Sequence, residues 1–279
     1  MPNFEYRLQT EDGLSLYGQG WETQAAPGGV VSLVHGLGEH SGRYAHLASF
    51  LNDHGYALLS FDLRGHGKSP GPRGHTPDYE ALMSDISSLL EETARRYPSL
   101  PVFLYGHSMG GNLVLNYALR RRPEITGVIA TDPFLRLAFE PPALQIALGN
   151  LMNRIAPAFS QANGLDTKAL SRNPEVVRRY ENDPLVHDRI SARLFTSLYR
   201  SGLWALEHAG EFPLPLLLMH GSADRITSVQ ATREFASKVG ENATLKVWEG
   251  FYHEIHNEPE QEQVFHFLLD WMNRQVQKI

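Results

Sequence analysis

Cysteine is absent from the 279 residues, which removes disulfides, thiol nucleophiles and cysteine-ligated metal sites together. Long apolar runs are absent too. The longest are strand-sized, far short of the ~20 residues that a membrane-spanning helix needs. No block of Lys or Arg stands out, and 25 basic against 31 acidic residues leave a net charge of −6. That balance argues against a nucleic-acid partner or an anionic membrane as a docking surface. The opening residues, Met1-Pro2-Asn3-Phe4-Glu5-Tyr6-Arg7, have neither the apolar core of a signal peptide nor the character of a transit peptide, so a cytoplasmic protein is expected, peripheral to membranes at most. There is no internal repeat. What is present is a 42% hydrophobic composition, enough to bury a full core as one large domain or one domain carrying an insertion.

Strand and helix signals alternate along most of the chain. Residues 4–10 and 14–21 flank an Asp12-Gly13 turn and read as a hairpin. Apolar strand-like runs follow at 30–34, 56–61, 102–107, 127–131, 214–219 and 244–248, with helical patterns between them and a last helix from about 260 to 274. Such alternation requires crossovers, hence an α/β fold with a mostly parallel sheet covered on both faces and an antiparallel hairpin at one edge. From about Pro133 to Leu206 the rhythm breaks: no strand signal, only short helical segments punctuated by prolines. Its first part is rich in Leu, Ile and Phe. Two readings fit: a helical subdomain burying these residues against the core, or a cap roofing a site and offering an apolar face to a greasy substrate. The position of the stretch favours a cap, giving a core of 1–132 and 207–279 and a helical cap of 133–206.

The strand at 102–107 stops at Gly106-His107-Ser108-Met109-Gly110, a G-x-S-x-G pentapeptide followed at once by a helical pattern. A strand–turn–helix with serine at its apex exposes the hydroxyl on a tight turn, and the glycines keep side chains out of the way. Serine is a poor nucleophile near neutral pH and needs a base held in one tautomer by an acid. In this arrangement the chain order is Ser, acid, His. Asp224, after the apolar run ending in His220-Gly221-Ser222-Ala223, fits the acid; Asp132 is the alternative, while Asp183 and Asp188 read as surface charges in the cap. Thirteen histidines compete for the base. His253 lies in the loop between the last strand and the last helix, where the base belongs, and His256 is its close competitor. Histidines 46, 54, 187, 208 and 266 read as surface or satisfied polar positions, and His35 and His107 as loop braces. Backbone N–H groups of Met109, after the nucleophile, and Leu37, in the turn after the 30–34 strand, are the expected oxyanion donors.

Two motifs fail on spacing. Gly67-Lys68-Ser69 would need a glycine at position 62 to end a phosphate-binding loop, and Asp62 stands there. His253-Glu254-Ile255-His256 is one residue too short for a zinc-binding H-E-x-x-H. No cofactor and no metal are expected.

The runs His35-Gly36-Leu37-Gly38-Glu39-His40-Ser41-Gly42-Arg43-Tyr44, Asp62-Leu63-Arg64-Gly65-His66-Gly67-Lys68-Ser69, Gly106-His107-Ser108-Met109-Gly110-Gly111, His220-Gly221-Ser222-Ala223-Asp224 and Tyr252-His253-Glu254-Ile255-His256 together resemble the monoacylglycerol lipase family of α/β-hydrolases. The resemblance spans nearly the whole chain, with the cap its least recognisable part. It implies a serine esterase acting on monoacylglycerols, a small-molecule lipid ester as partner, and an apolar cap able to touch a membrane or micelle transiently. It also places Glu39, Arg43 and His256 near the glycerol end of the substrate. The competing reading is that Glu39 and Arg43 form an ion pair that orders their own loop. Other activities that fit are a general carboxylesterase or a lysophospholipase. A hydrolase-fold binding protein without catalysis would be expected to have lost a member of the Ser-His-Asp set, and this chain has all three.

Overall fold

The structure is a computed structural model that describes residues 4–278; the start of the N-terminal stretch and the outermost residues of the expected core, 1–3 and 279, lie outside it. In chain order the first half holds β1 (Phe4–Gln9), β2 (Ser15–Trp21), β3 (Gly29–Val34), α1 (Ala45–Asp53), β4 (Tyr56–Phe61), α2 (Tyr79–Arg96), β5 (Val102–His107), α3 (Met109–Arg121) and β6 (Gly127–Thr131). Then come α4 (Ala143–Ile155), β7 (Ser160–Ala162), α5 (Pro174–Asn182), β8 (Arg189–Ser191) and α6 (Ala192–Glu207). The chain closes with β9 (Leu216–Gly221), α7 (Val229–Val239), β10 (Ala243–Trp248) and α8 (Gln261–Val276).

Eight strands form one sheet in the order β1-β2-β4-β3-β5-β6-β9-β10. β2 runs antiparallel to both β1 and β4, and every pairing from β4 onward is parallel, so the opening hairpin forms the antiparallel edge. Strands β3, β4, β6 and β9 are buried along their whole length. That is why they read as unbroken apolar runs rather than as alternating ones. Helices cover both faces. Leu82 and Ile86 of α2, Leu113 of α3 and Phe235 of α7 pack on one side; Leu47 and Leu51 of α1 with Leu268 and Trp271 of α8 pack on the other. Because all the central strands point the same way, the loops at their C-terminal ends gather at one edge, where the motif residues lie.

The insertion between β6 and β9 departs from the sequence reading in two ways and bears on it in a third. It contains a two-stranded antiparallel sheet, β7 with β8, of three residues each, too short to leave an alternating pattern. Its last helix, α6, sends Leu194, Leu198, Ala205 and Leu206 into the same apolar cluster as α2 and α3. By its packing α6 goes with the body of the molecule, and we infer that the cap proper ends near Ser191. Finally, α4 has no buried residue. Leu144, Leu148, Leu151 and Ile155 recur at helical spacing on its outside and are 52% to 80% exposed. Of the two readings of this stretch, burial against the core does not hold for α4.

Candidate active site

Ser108 caps the start of α3 with φ +53 and ψ −113, a conformation that costs a non-glycine residue energy and holds its side chain above the strand end. The glycines around it are there for close approach. A Cβ on Gly110 would collide with the carbonyl oxygen of Val34, and one on Gly111 would lie 2.9 Å from the Cα of Pro133. The turn is held by hydrogen bonds from the Ser108 amide to Thr131 O and from the Phe134 amide to Ser108 O, 2.9 and 3.0 Å.

Three strand-end loops converge on it. His253 Nε2 lies 2.9 Å from Ser108 Oγ, and its Nδ1 lies 2.8 Å from Asp224 Oδ2. Asp224 is fixed on its own loop: Oδ1 accepts from the Ile226 and Thr227 amides, and Oδ2 also accepts from the Thr227 hydroxyl. Burial raises the cost of charging this carboxylate, but the imidazoles of His253 and His220 beside it outweigh that and hold it far below the usual carboxylate range. Burial likewise opposes charging of His253; the Asp224 carboxylate more than offsets it, and the imidazole's pKa rises above its ordinary value. Its neighbour His107, whose ring lies 4.9 Å away, is driven the other way by burial and by His253, down to about 4, and so stays neutral. His107 Nδ1 is 3.1 Å from Thr131 Oγ1.

The turn after β3 lies against Ser108: a Cβ on Gly36 would sit 3.4 Å from the Cβ of Ser108. Among the described residues, the amides of Leu37 and Met109 meet no hydrogen-bond acceptor. Glu39, 2% exposed, fixes this turn by accepting from the Gly36 amide (2.6 Å) and the Tyr44 hydroxyl (2.7 Å) through Oε1. Its Oε2 takes Arg43 Nη1, and Arg43 in turn forks onto Glu254, with Nη1 to Oε1 at 2.6 Å and Nη2 to Oε2 at 2.7 Å. Both carboxylates lie below their usual range: burial works against ionisation, and the guanidinium overcomes it. One buried arginine thus ties the Gly36–Gly38 turn to the loop that carries His253.

Comparison with known proteins fits this geometry. Residues 25–260 match the family described as serine aminopeptidase, S33. An uncharacterized abhydrolase domain-containing protein of Dictyostelium discoideum is 36% identical over 97% of this chain, which spans 29% of that longer protein. The monoacylglycerol lipase of Mycolicibacterium smegmatis is 35% identical over 270 residues, 96% of each chain. The crystal structure of the monoacylglycerol lipase of Paleococcus ferrophilus superposes with a TM-score of 0.86 at 42% identity, covering 93% of this chain and 99% of that one. The chain belongs to the serine aminopeptidase S33 family and is a hydrolase of the α/β-hydrolase fold.

In this hydrolase the residues expected at an alcohol pocket sit behind the turn rather than on an open wall. Glu39 and Arg43 satisfy one another and Glu254, which favours the loop-ordering role over direct contact with an alcohol. His256 is fully buried and stacked on Tyr44 at 4.8 Å, and neither ring nitrogen finds a partner among the described residues. It is not placed to compete with His253 as base. His35 braces the turn through Nδ1 to Gly36 O while Nε2 accepts from the Leu63 amide. His46 and His187, read as surface or satisfied polar positions, are satisfied by backbone carbonyls: His46 Nε2 meets His256 O and His187 Nε2 meets Gly65 O. Asp132, the alternative acid, is buried, with Oδ1 accepting from the Gly221 amide and Oδ2 without a partner among the described residues; burial and the nearby Asp224 push its pKa well up. Asp132, His220 and Asp224 bring three potential metal-ligand atoms within 4.8 Å of one another. Asp224 is already met by four hydrogen-bond donors, from Ile226, Thr227 (twice) and His253, with His220 Nε2 3.1 Å from its Oδ2. Glu254 and His220 stand inside the quoted runs and Thr227 in none, but the sequence assigns none of the three a role; the signal that points to Glu254 is its place directly after His253.

Proposed function

We propose that this hydrolase is a serine esterase that cleaves monoacylglycerols to glycerol and free fatty acid. The observation that carries the reading is the continuous file Ser108 Oγ, His253 Nε2, His253 Nδ1, Asp224 Oδ2, with steps of 2.9 and 2.8 Å. In the reaction Ser108 Oγ attacks the ester carbonyl and gives its proton to His253 Nε2. Asp224 holds the Nδ1–H and stabilises the imidazolium that forms. The Leu37 and Met109 amides receive the developing oxyanion, a contribution of roughly 10²–10³ in rate per donor. His253 then protonates the departing glycerol oxygen, and a water activated by the same nitrogen releases the fatty acid from Ser108. Glu39 and Arg43 serve the site by holding the Gly36–Gly38 turn in register with the His253 loop; His256 contributes a buried aromatic plate beneath it. The monoacylglycerol preference rests on the full-length likeness to the Mycolicibacterium and Paleococcus enzymes and on the exposed apolar face of α4, which suits a substrate delivered from a lipid aggregate.

An aminopeptidase reading, suggested by the family's description, needs a carboxylate free to meet a substrate ammonium. Glu39 and Glu254, acidic side chains on the loops beside Ser108, are both paired with Arg43, so neither is free to meet an ammonium. The ester reading is therefore preferred, and aminoacyl p-nitroanilides are expected to be poor substrates.

The test is fatty-acid release from monoolein, diolein, triolein and lysophosphatidylcholine, alongside p-nitrophenyl butyrate hydrolysis, with Ser108→Ala as control. Turnover concentrated on monoolein and lost in Ser108→Ala is the expected result. Fast butyrate hydrolysis with little monoolein turnover would leave the triad and remove the monoacylglycerol assignment in favour of a general carboxylesterase. Release from lysophosphatidylcholine above monoolein would make it a lysophospholipase. Binding of monoolein without turnover of any ester would make it a binding protein.

A further inference from the structure

A second histidine stands behind the triad acid. His220, the penultimate residue of β9, is fully buried, and its Nε2 lies 3.1 Å from Asp224 Oδ2, the same oxygen that faces His253 Nδ1. Nε2 also has a hydrogen-bond contact with Thr227 O at 3.4 Å, and Asp132 Oδ1 lies 3.8 Å away. All three are acceptors, so Nε2 must carry a proton. On the opposite side Nδ1 lies 2.8 Å from the Thr232 hydroxyl of α7, which is also fully buried. With Nε2 protonated, Nδ1 is free to accept, and the hydroxyl is the donor. The tautomer of His220 is thereby set from α7, two elements away from the nucleophile.

We propose that His220 is a positioning residue of the active site: it donates Nε2–H to Asp224 Oδ2, orients the carboxylate toward His253, and is itself held by Thr232. The inference deepens the esterase reading and rests on it. A carboxylate that accepts one more hydrogen bond is less basic, and so draws less hard on the His253 proton. Loss of the His220 donor concentrates charge on the oxygen facing His253, so the imidazolium survives to higher pH. The charged and titratable groups bearing on that balance are Asp224 itself, Glu254 on the loop of His253, Glu39 beyond β3 and His107 at the end of β5. Around His220 they are Asp132 after β6 and Asp224; α7 contributes the uncharged Thr232.

The experiment is the pH dependence of kcat/KM for p-nitrophenyl butyrate in the wild type, His220→Phe, His220→Gln and Thr232→Val, with melting temperatures recorded for each. In His220→Phe, kcat is expected to fall about tenfold with KM within about twofold, and the acidic limb to move up by about half a pH unit. His220→Gln, whose side-chain N–H can reach the same oxygen, should bring the limb back. Thr232→Val frees His220 to turn its lone pair toward Asp224 and should shift the limb in the same direction by a smaller amount. If His220→Phe proves too unstable to assay, Thr232→Val, which preserves shape, decides. A limb that coincides with wild type in every folded variant, with changes confined to melting temperature, would overturn the proposal and leave His220 a packing residue. An inert wild type would instead overturn the esterase reading.

Discussion

In the proposed mechanism Ser108, His253 and Asp224 divide one task that none performs alone, and the titration of His253 is where the division can be measured. The imidazole acts as base only when neutral, so kcat/KM should rise with pH through the His253 pKa. That pKa lies above the ordinary histidine value because Asp224 outweighs burial. Asp224→Asn removes the opposing charge and leaves burial alone, so the acidic limb should move to lower pH even as kcat falls by about 10⁴-fold. A pH–rate profile settles it: a limb unmoved in Asp224→Asn would mean that some other group is titrating. These three positions were readable because each sits at the end of its own strand, within a local pattern of apolar run, small turn and polar residue. Glu254 and His220 were not. Glu254 has as its partner Arg43, 211 residues away, and His220 meets its partners Thr232 and Asp224 only once β9, α7 and the following loop are packed.

Among the elements, the nucleophile turn and α4 make opposite demands on glycine. Gly110 enters α3 with its Cα against the Val34 carbonyl, and Gly149 sits mid-helix in α4 with the nearest atoms of Phe195 and Thr196 at 3.9 and 4.0 Å from where a Cβ would go. Gly110→Ala should therefore be severely destabilised or insoluble, because backbone must move. Gly149→Ala should raise stability by up to about 1 kcal/mol through helix propensity alone. Thermal melts of the pair check both. The outer face of α4 gives a second expectation at this scale. Leu144 and Leu148 lie one helical turn apart, 80% and 56% exposed, so replacing both with Glu should leave the fold and p-nitrophenyl acetate hydrolysis unchanged. The same change should cut adsorption to zwitterionic vesicles and turnover of vesicle-borne monoolein roughly tenfold or more, since each buried leucine is worth about 1.5–3 kcal/mol. Equal loss on both substrates would show that α4 serves the fold or the site directly. Periodicity announced this helix, but a sequence pattern marks an apolar face without saying what covers it. For the same reason α6 was grouped with the cap: its stripe looks alike whether it meets α3 or a substrate.

For the whole molecule, the decisive region is the junction between cap and core. The Glu254 amide donates to Leu170 O, the His187 amide to Gly38 O and the Ser191 amide to Gly74 O, so the cap is stitched to the His253 loop, the Gly36–Gly38 turn and the loop at Gly74. His40 adds a pairing with Asp183 at 2.9 Å. Into this junction the fold packs histidines that burial keeps neutral. His35, His66, His107, His187 and His256 all have lowered pKa values, with His107 and His187 brought down to about 4, and His66 lies 4.7 Å from the His187 ring. For each of these the unfolded chain, with an ordinary value near 6.5, binds a proton before the folded chain does. Their contribution to stability is therefore complete above about pH 6.5 and is lost as the pH falls toward the folded values. His107 alone, fully buried, stands for roughly 3 kcal/mol over that interval. His253, Asp132 and Asp85, with raised pKa values, work in the opposite sense, while His46 and His75, both lowered by burial, add to the five. The melting temperature should thus drop by about 5 °C or more between pH 8 and pH 5. His187→Gln, which can still donate to Gly65 O but cannot take up a proton, should flatten the dependence while leaving the pH 8 value close to wild type. A melting temperature constant from pH 8 to pH 5 would mean that these histidines titrate alike in the folded and the unfolded chain, and that the cap is docked by something other than their neutrality.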